Sequence, residues 1–62
     1  MKRRDLERHL REHGCIFDHE GSNHSVFVRP GTSRTSSVPR HVEIKNALVR
    51  KICKDLQIPH PF

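Results

Sequence analysis

Two short stretches of the chain hold the side chains with the most chemistry to offer. The first is Gly21-Ser22-Asn23-His24, a turn-forming triplet followed by an imidazole at the mouth of a strand-like run. Backbone N–H groups in such a turn can bind a phosphate oxygen while the ring reaches the same group. Histidine is the side chain that titrates near neutral pH without perturbation. Beside a phosphodiester, His24 can therefore take the proton of a ribose 2′-hydroxyl, the general-base half of RNA cleavage. On position alone, a ring that only hydrogen-bonds within its turn is the simpler reading. The second stretch is Pro39-Arg40-His41. Arg40 and His41 can meet a phosphate or a leaving oxygen there, although a rigid connector with solvated charges is the simpler reading.

The other reactive types are less suggestive. His9 and His13 stand at i,i+4 on a helical stretch, but no third ligand is near in sequence, so the pair reads as surface rather than metal site. His19 falls on a strand where it can neighbour His24 across the hairpin, and His60 lies in a Pro-flanked tail. Cys15 and Cys53 form no CxxC and fall among apolar residues, which predicts two reduced, buried thiols. No Ser or Cys stands with a His–acid pair, and there is no phosphate-binding loop, dinucleotide fingerprint or glycosidase-like carboxylate pair. Acid–base chemistry by histidine is the enzymatic option that remains, with no metal and no cofactor.

The elements that must position these groups follow from periodicity. Leu6 and Leu10 sit at i and i+4 among charges, which predicts a helix over about 3–13, with Asp5 as N-cap or in the first turn and Gly14 as the left-handed stop. Strand-length runs rich in β-branched and aromatic residues follow at about 15–20 and 24–29, and a third, edge strand is expected at about 35–39, ending on Pro39. Gly21 and Asn23 can supply positive φ in the connecting turn. A two-residue turn puts Cys15, Phe17, Val26 and Val28 on one face, whereas a three-residue turn groups Phe17 with Phe27, and sequence leaves both open. Ile44, Leu48, Ile52 and Leu56 recur every four residues, predicting a helix over about 44–56 that Glu43 favours at its start, before an extended tail at 57–62. Two helices with one apolar stripe each need a common surface, and an antiparallel sheet face supplies it. The expectation is an α+β fold, double-stranded-RNA-binding-like, in the order α-β-β-β-α, with a three-stranded antiparallel sheet and two helices packed on one face.

Size and charge narrow the function classes. With 62 residues there is room for one domain, 1–62, and one thin core, which excludes the large parallel-sheet and barrel enzymes. Twelve Lys and Arg against seven Asp and Glu give +5, and eight of the cations are Arg, whose planar fork pairs with phosphate or carboxylate. That balance points to nucleic acid or an acidic protein partner. No apolar run approaches the roughly 18 residues of a membrane span, and no signal-peptide core follows the basic N-terminus, so the chain reads as soluble and intracellular, without a membrane partner.

Together, Gly21-Ser22-Asn23-His24-Ser25-Val26-Phe27, then Val38-Pro39-Arg40-His41-Val42-Glu43-Ile44 and an apolar-striped helix, resemble the HicA family of bacterial mRNA-cleaving toxins. The opening Lys2-to-Leu10 helix with Gly14 after it fits the same family, and the likeness runs from about Lys2 to Ile58. The resemblance implies the same RNA-binding-type fold, a metal-independent endoribonuclease in the bacterial cytoplasm, His24 as catalytic residue, mRNA as substrate and a HicB-type antitoxin as partner. Gly21, Ser22, Asn23, Arg40 and His41 are then the expected RNA contacts. Ser22 departs from the pattern: relatives often carry a second Gly there, and the change can alter the turn's phosphate contacts.

Overall fold

Residues Arg3–Glu12 form helix α1 in the computed structural model, which describes Met1–Phe62. Leu6 and Leu10 are its buried residues, as their spacing requires. Lys2, in extended conformation, is the N-cap, so Asp5 takes the first-turn alternative, where its charge suits the helix dipole. The helix ends on a pair of reversed hydrogen bonds, from Cys15 N–H to Leu10 O at 2.9 Å and from Gly14 N–H to Arg11 O at 3.0 Å. This is the Schellman arrangement, and Gly14 occupies its left-handed position at φ +82°.

The chain then forms β1 (Ile16–Glu20), β2 (His24–Val28) and β3 (Thr35–Pro39), antiparallel in the order β1-β2-β3. Phe17 pairs with Phe27, as a three-residue turn would have it. Yet beside the turn Glu20 pairs with Ser25, the register of a two-residue turn, so each of the two registers holds on one side of a bulge. The Phe17 and Phe27 rings meet edge to face with centroids 6.1 Å apart, a favoured aromatic geometry. The register slips between Phe17 and His19, so His19 faces Val26 and Glu20 faces Ser25. His19 is therefore not the cross-strand neighbour of His24, and its ring bonds instead to Asp18 at 2.7 Å.

Helix α2 spans Asn46–Asp55, shorter at its start than the apolar repeat suggests. The preceding segment is held extended by a bridge between Lys2 and Glu43 and by the Arg3 N–H to Val42 O bond at 2.8 Å. Glu43 thus lies in that bridge rather than at a helix start, and Ile44 reaches the core from extended chain. Helix α2 closes like α1: Ile58 N–H reaches Cys53 O at 2.9 Å and Gln57 N–H reaches Lys54 O at 3.0 Å, with Gln57 left-handed at φ 53°.

Both helices cover one face of the sheet. Leu6 and Leu10 from α1, Val49, Ile52 and Cys53 from α2, and Phe27 and Val38 from the strands belong to one buried cluster with Cys15, Ile44 and Leu56. The two thiols are free, and burial pushes both up from the usual range, so they pack as small apolar groups rather than as nucleophiles. Two serines also point inward and are satisfied: Ser36 donates to Asp55 at 3.1 Å, and Ser25 to Glu20 at 2.7 Å. The architecture is the expected α-β-β-β-α order, a three-stranded antiparallel sheet with two helices.

Candidate functional site

Alternation along β2 decides where His24 points. Ser25 and Phe27 are buried against the helices, so His24, Val26 and Val28 belong to the other, helix-free face. His24 opens the strand and is exposed, as are Ser22 and Asn23 beside it. The side-chain hydrogen bonds engage His9, His13 and His19, whereas the ring of His24 is left without a partner in the chain. Its backbone, by contrast, is held on both sides. Gly21 N–H donates to His24 O at 2.7 Å across the turn, and His24 pairs with Pro39 on the edge strand β3.

Glycine is favoured at position 21 by proximity, not by positive φ. The left-handed residues are Gly14, Gly31 and Gln57, so neither Gly21 nor Asn23 supplies the conformation expected of it. A Cβ on Gly21 would stand 3.3 Å from the carbonyl oxygen of His24, tighter than ordinary contact. The turn closes through this short approach, which places the His24 backbone directly against it.

Arg40 joins the two motifs into one site. From the exit of β3 its guanidinium donates to Gly21 O at 3.0 Å and Ser22 O at 3.4 Å, and it forms an ion pair with Glu20. Glu20 also accepts from Ser25, the residue after His24. The Ser25 hydroxyl first, and then the Arg40 guanidinium, hold the Glu20 carboxyl below its usual range. His41 follows Arg40 and is exposed. The structure thus gathers Gly21, Ser22, Asn23, His24 and Arg40 around one hairpin end, with His41 next in the chain. Glu20 and Ser25, which tie that end together, do not stand out in the sequence. Pairing Glu20 with Ser25 across the turn is the signal that would have found them, and it appears only once the register is known.

The remaining histidines lie elsewhere. His9 and His13 have ring centroids 4.3 Å apart, but His9 is bonded to Pro59 O at 2.6 Å and His13 to His9 O at 3.0 Å. No group of three His, Cys, Asp or Glu side chains is arranged to hold an ion. His60 packs against Phe62 with centroids 5.2 Å apart.

The two largest hollows of the surface are lined mainly by polar side chains. A cleft of about 350 Å³ between α1 and the hairpin has Arg3, Arg11 and Arg40 in its walls, with Glu7 and Glu20 among them. The largest, about 530 Å³, is lined by Thr32 to Thr35, Lys54 and Asp55. It lies at the far end of β2 from His24, because Thr35 pairs with Val28 while His24 pairs with Pro39. Neither encloses a small molecule. No helix is long and apolar enough to cross a membrane.

This is a small basic α+β domain whose His24 stands exposed at a hairpin end, with Arg40 in the wall of the neighbouring cleft. Residues 3–58 match the family described as HicA toxin of bacterial toxin-antitoxin. The chain belongs to that family, and membership implies an antitoxin partner. No curated protein and no solved structure matches it.

Proposed function

We propose that this toxin is a metal-independent endoribonuclease that cleaves mRNA, with His24 as its catalytic residue. The observation that carries the reading is the combination at His24 of a fixed backbone and a free, exposed ring. In this reading the imidazole accepts the 2′-hydroxyl proton and the resulting oxygen attacks the neighbouring phosphorus. The 5′-oxygen then leaves and takes a proton from solvent at the open face. Such in-line attack needs an unstacked, flexible linkage, so single-stranded or ribosome-associated message is the substrate. Asn23, His41 and the exposed peptide groups around Ser22 hold the ribose–phosphate chain, and the net charge of +5 draws RNA to the surface. The same charge favours a HicB-type antitoxin with acidic groups, since complementary charge speeds encounter.

Expression in a bacterial host tests this. Induction of the wild type is expected to arrest growth and deplete transcripts, and His24→Ala is expected to do neither while accumulating as folded protein. Arrest that persists undiminished in His24→Ala would remove the residue from the mechanism. Binding of RNA that weakens steeply with salt, with intact RNA recovered throughout, would mark a binding module instead.

A further inference from the structure

Arg3, Arg8 and Arg11 pair with carboxylates along α1, whereas Arg40 is the arginine that binds the hairpin turn. Two of its nitrogens serve two carbonyl oxygens of the hairpin turn and the carboxylate of Glu20. Glu20 in turn takes the hydroxyl of Ser25, so the groups on either side of His24 are tied together: the turn before it, and the residue after it. Pro39, the cross-strand partner of His24, is the residue that precedes Arg40. The turn therefore has few other fastenings: one Gly21 N–H to His24 O bond at 2.7 Å and this guanidinium. A phosphate that took over these two nitrogens would have to displace a carboxylate and two carbonyls, releasing the turn it approached.

We infer that Arg40 is a positioning residue for His24: its planar fork locks the Gly21–Asn23 turn to the exit of β3 through Glu20, and so sets where the imidazole stands. This rests on the catalytic reading of His24 and assigns Arg40 an internal role in place of an RNA contact. The fork matters more than the charge, because three acceptors at fixed directions suit a guanidinium and not an ammonium. Glu20 belongs to the same device, as the anion that holds the fork against the turn.

Two variants separate positioning from RNA contact. Arg40→Lys keeps the charge and loses the fork, while Glu20→Ala frees Arg40 and raises the positive charge of the surface by one unit. Single-turnover cleavage of a short single-stranded RNA, at saturating protein, is expected to slow on the order of tenfold to a hundredfold in both. RNA affinity, measured for each change in the His24→Ala background, should stay within about twofold for Arg40→Lys and rise for Glu20→Ala. Exchange of the Gly21 amide, bonded to His24 O, is expected to accelerate in both variants while the core amides of α1 and α2 keep their protection. A cleavage defect found wholly in affinity, wild-type cleavage by Arg40→Lys, or faster cleavage by Glu20→Ala would overturn the assignment. So would an unchanged Gly21 exchange rate. Should His24→Ala cleave as fast as the wild type, the catalytic reading itself falls, and that result is visible without either variant.

Discussion

His24 owes its prominence to what its neighbours do rather than to its own contacts. The ring has no bonding partner in the chain, whereas its backbone is bonded to Gly21 and paired with Pro39. A substitution that moves this backbone should therefore disturb function before stability. Gly21→Ala is the mildest such change: its Cβ would meet the His24 carbonyl oxygen at 3.3 Å, on an otherwise exposed turn. Cleavage is expected to fall by about tenfold or more, with a urea midpoint close to that of the wild type. An unaltered rate would show that the turn tolerates the shift. The motif Gly21-Ser22-Asn23-His24 was readable as a candidate because a turn cluster beside an imidazole is a local pattern. The reason for its glycine was not, since close approach depends on how the loop closes and only positive φ has a composition cue. Glu20 and Ser25 were hidden for the same reason: neither is unusual until the strands are in register.

Among the elements, the helix ends are the clearest test of how local sequence sets local structure. Both helices close with the same pair of reversed hydrogen bonds, one around Gly14 and the other around Gln57. A left-handed non-glycine residue costs roughly 1–2 kcal/mol, while glycine loses more freedom on folding. Gln57→Gly is thus expected to stabilise the protein by roughly 0.5–1 kcal/mol, raising its melting temperature by a few degrees. Gly14→Ala should destabilise by roughly 1–2 kcal/mol, although nothing lies within 4 Å of the added Cβ. Equal effects of the two changes would mean that conformation at these caps is not what limits stability. Gly14 was legible as a stop because glycine advertises itself, whereas Gln57 carries no such cue. The apolar repeat of α2 similarly identified the helix but misplaced its start. Ile44 obeys the spacing because it must reach the same core, yet the Lys2–Glu43 bridge keeps it in extended chain.

At the scale of the whole molecule, a thin core of ten buried apolar residues is edged by carboxylates that serve as hydrogen-bond acceptors. Ser25 and then Arg40 lower the pKa of Glu20, and Lys51 and then Ser36 lower that of Asp55. Both groups ionise more readily folded than unfolded, so their contribution is complete above the unfolded carboxylate value of about 4. It is lost as pH falls through the lowered folded values. Urea midpoints should hold between pH 7 and 5 and decline below pH 4, and Glu20→Gln should flatten part of that decline. The balance of charged side chains leaves the chain at +5, which attracts a polyanion or an acidic protein surface. The fold class was legible from two stripe periods and three short runs, because a core this small admits few arrangements. The most direct test of the catalytic claim uses purified protein and single-stranded RNA in excess EDTA. The account predicts cleavage by the wild type and none by a folded His24→Ala variant, and equal cleavage by both, or intact RNA with both, would contradict it.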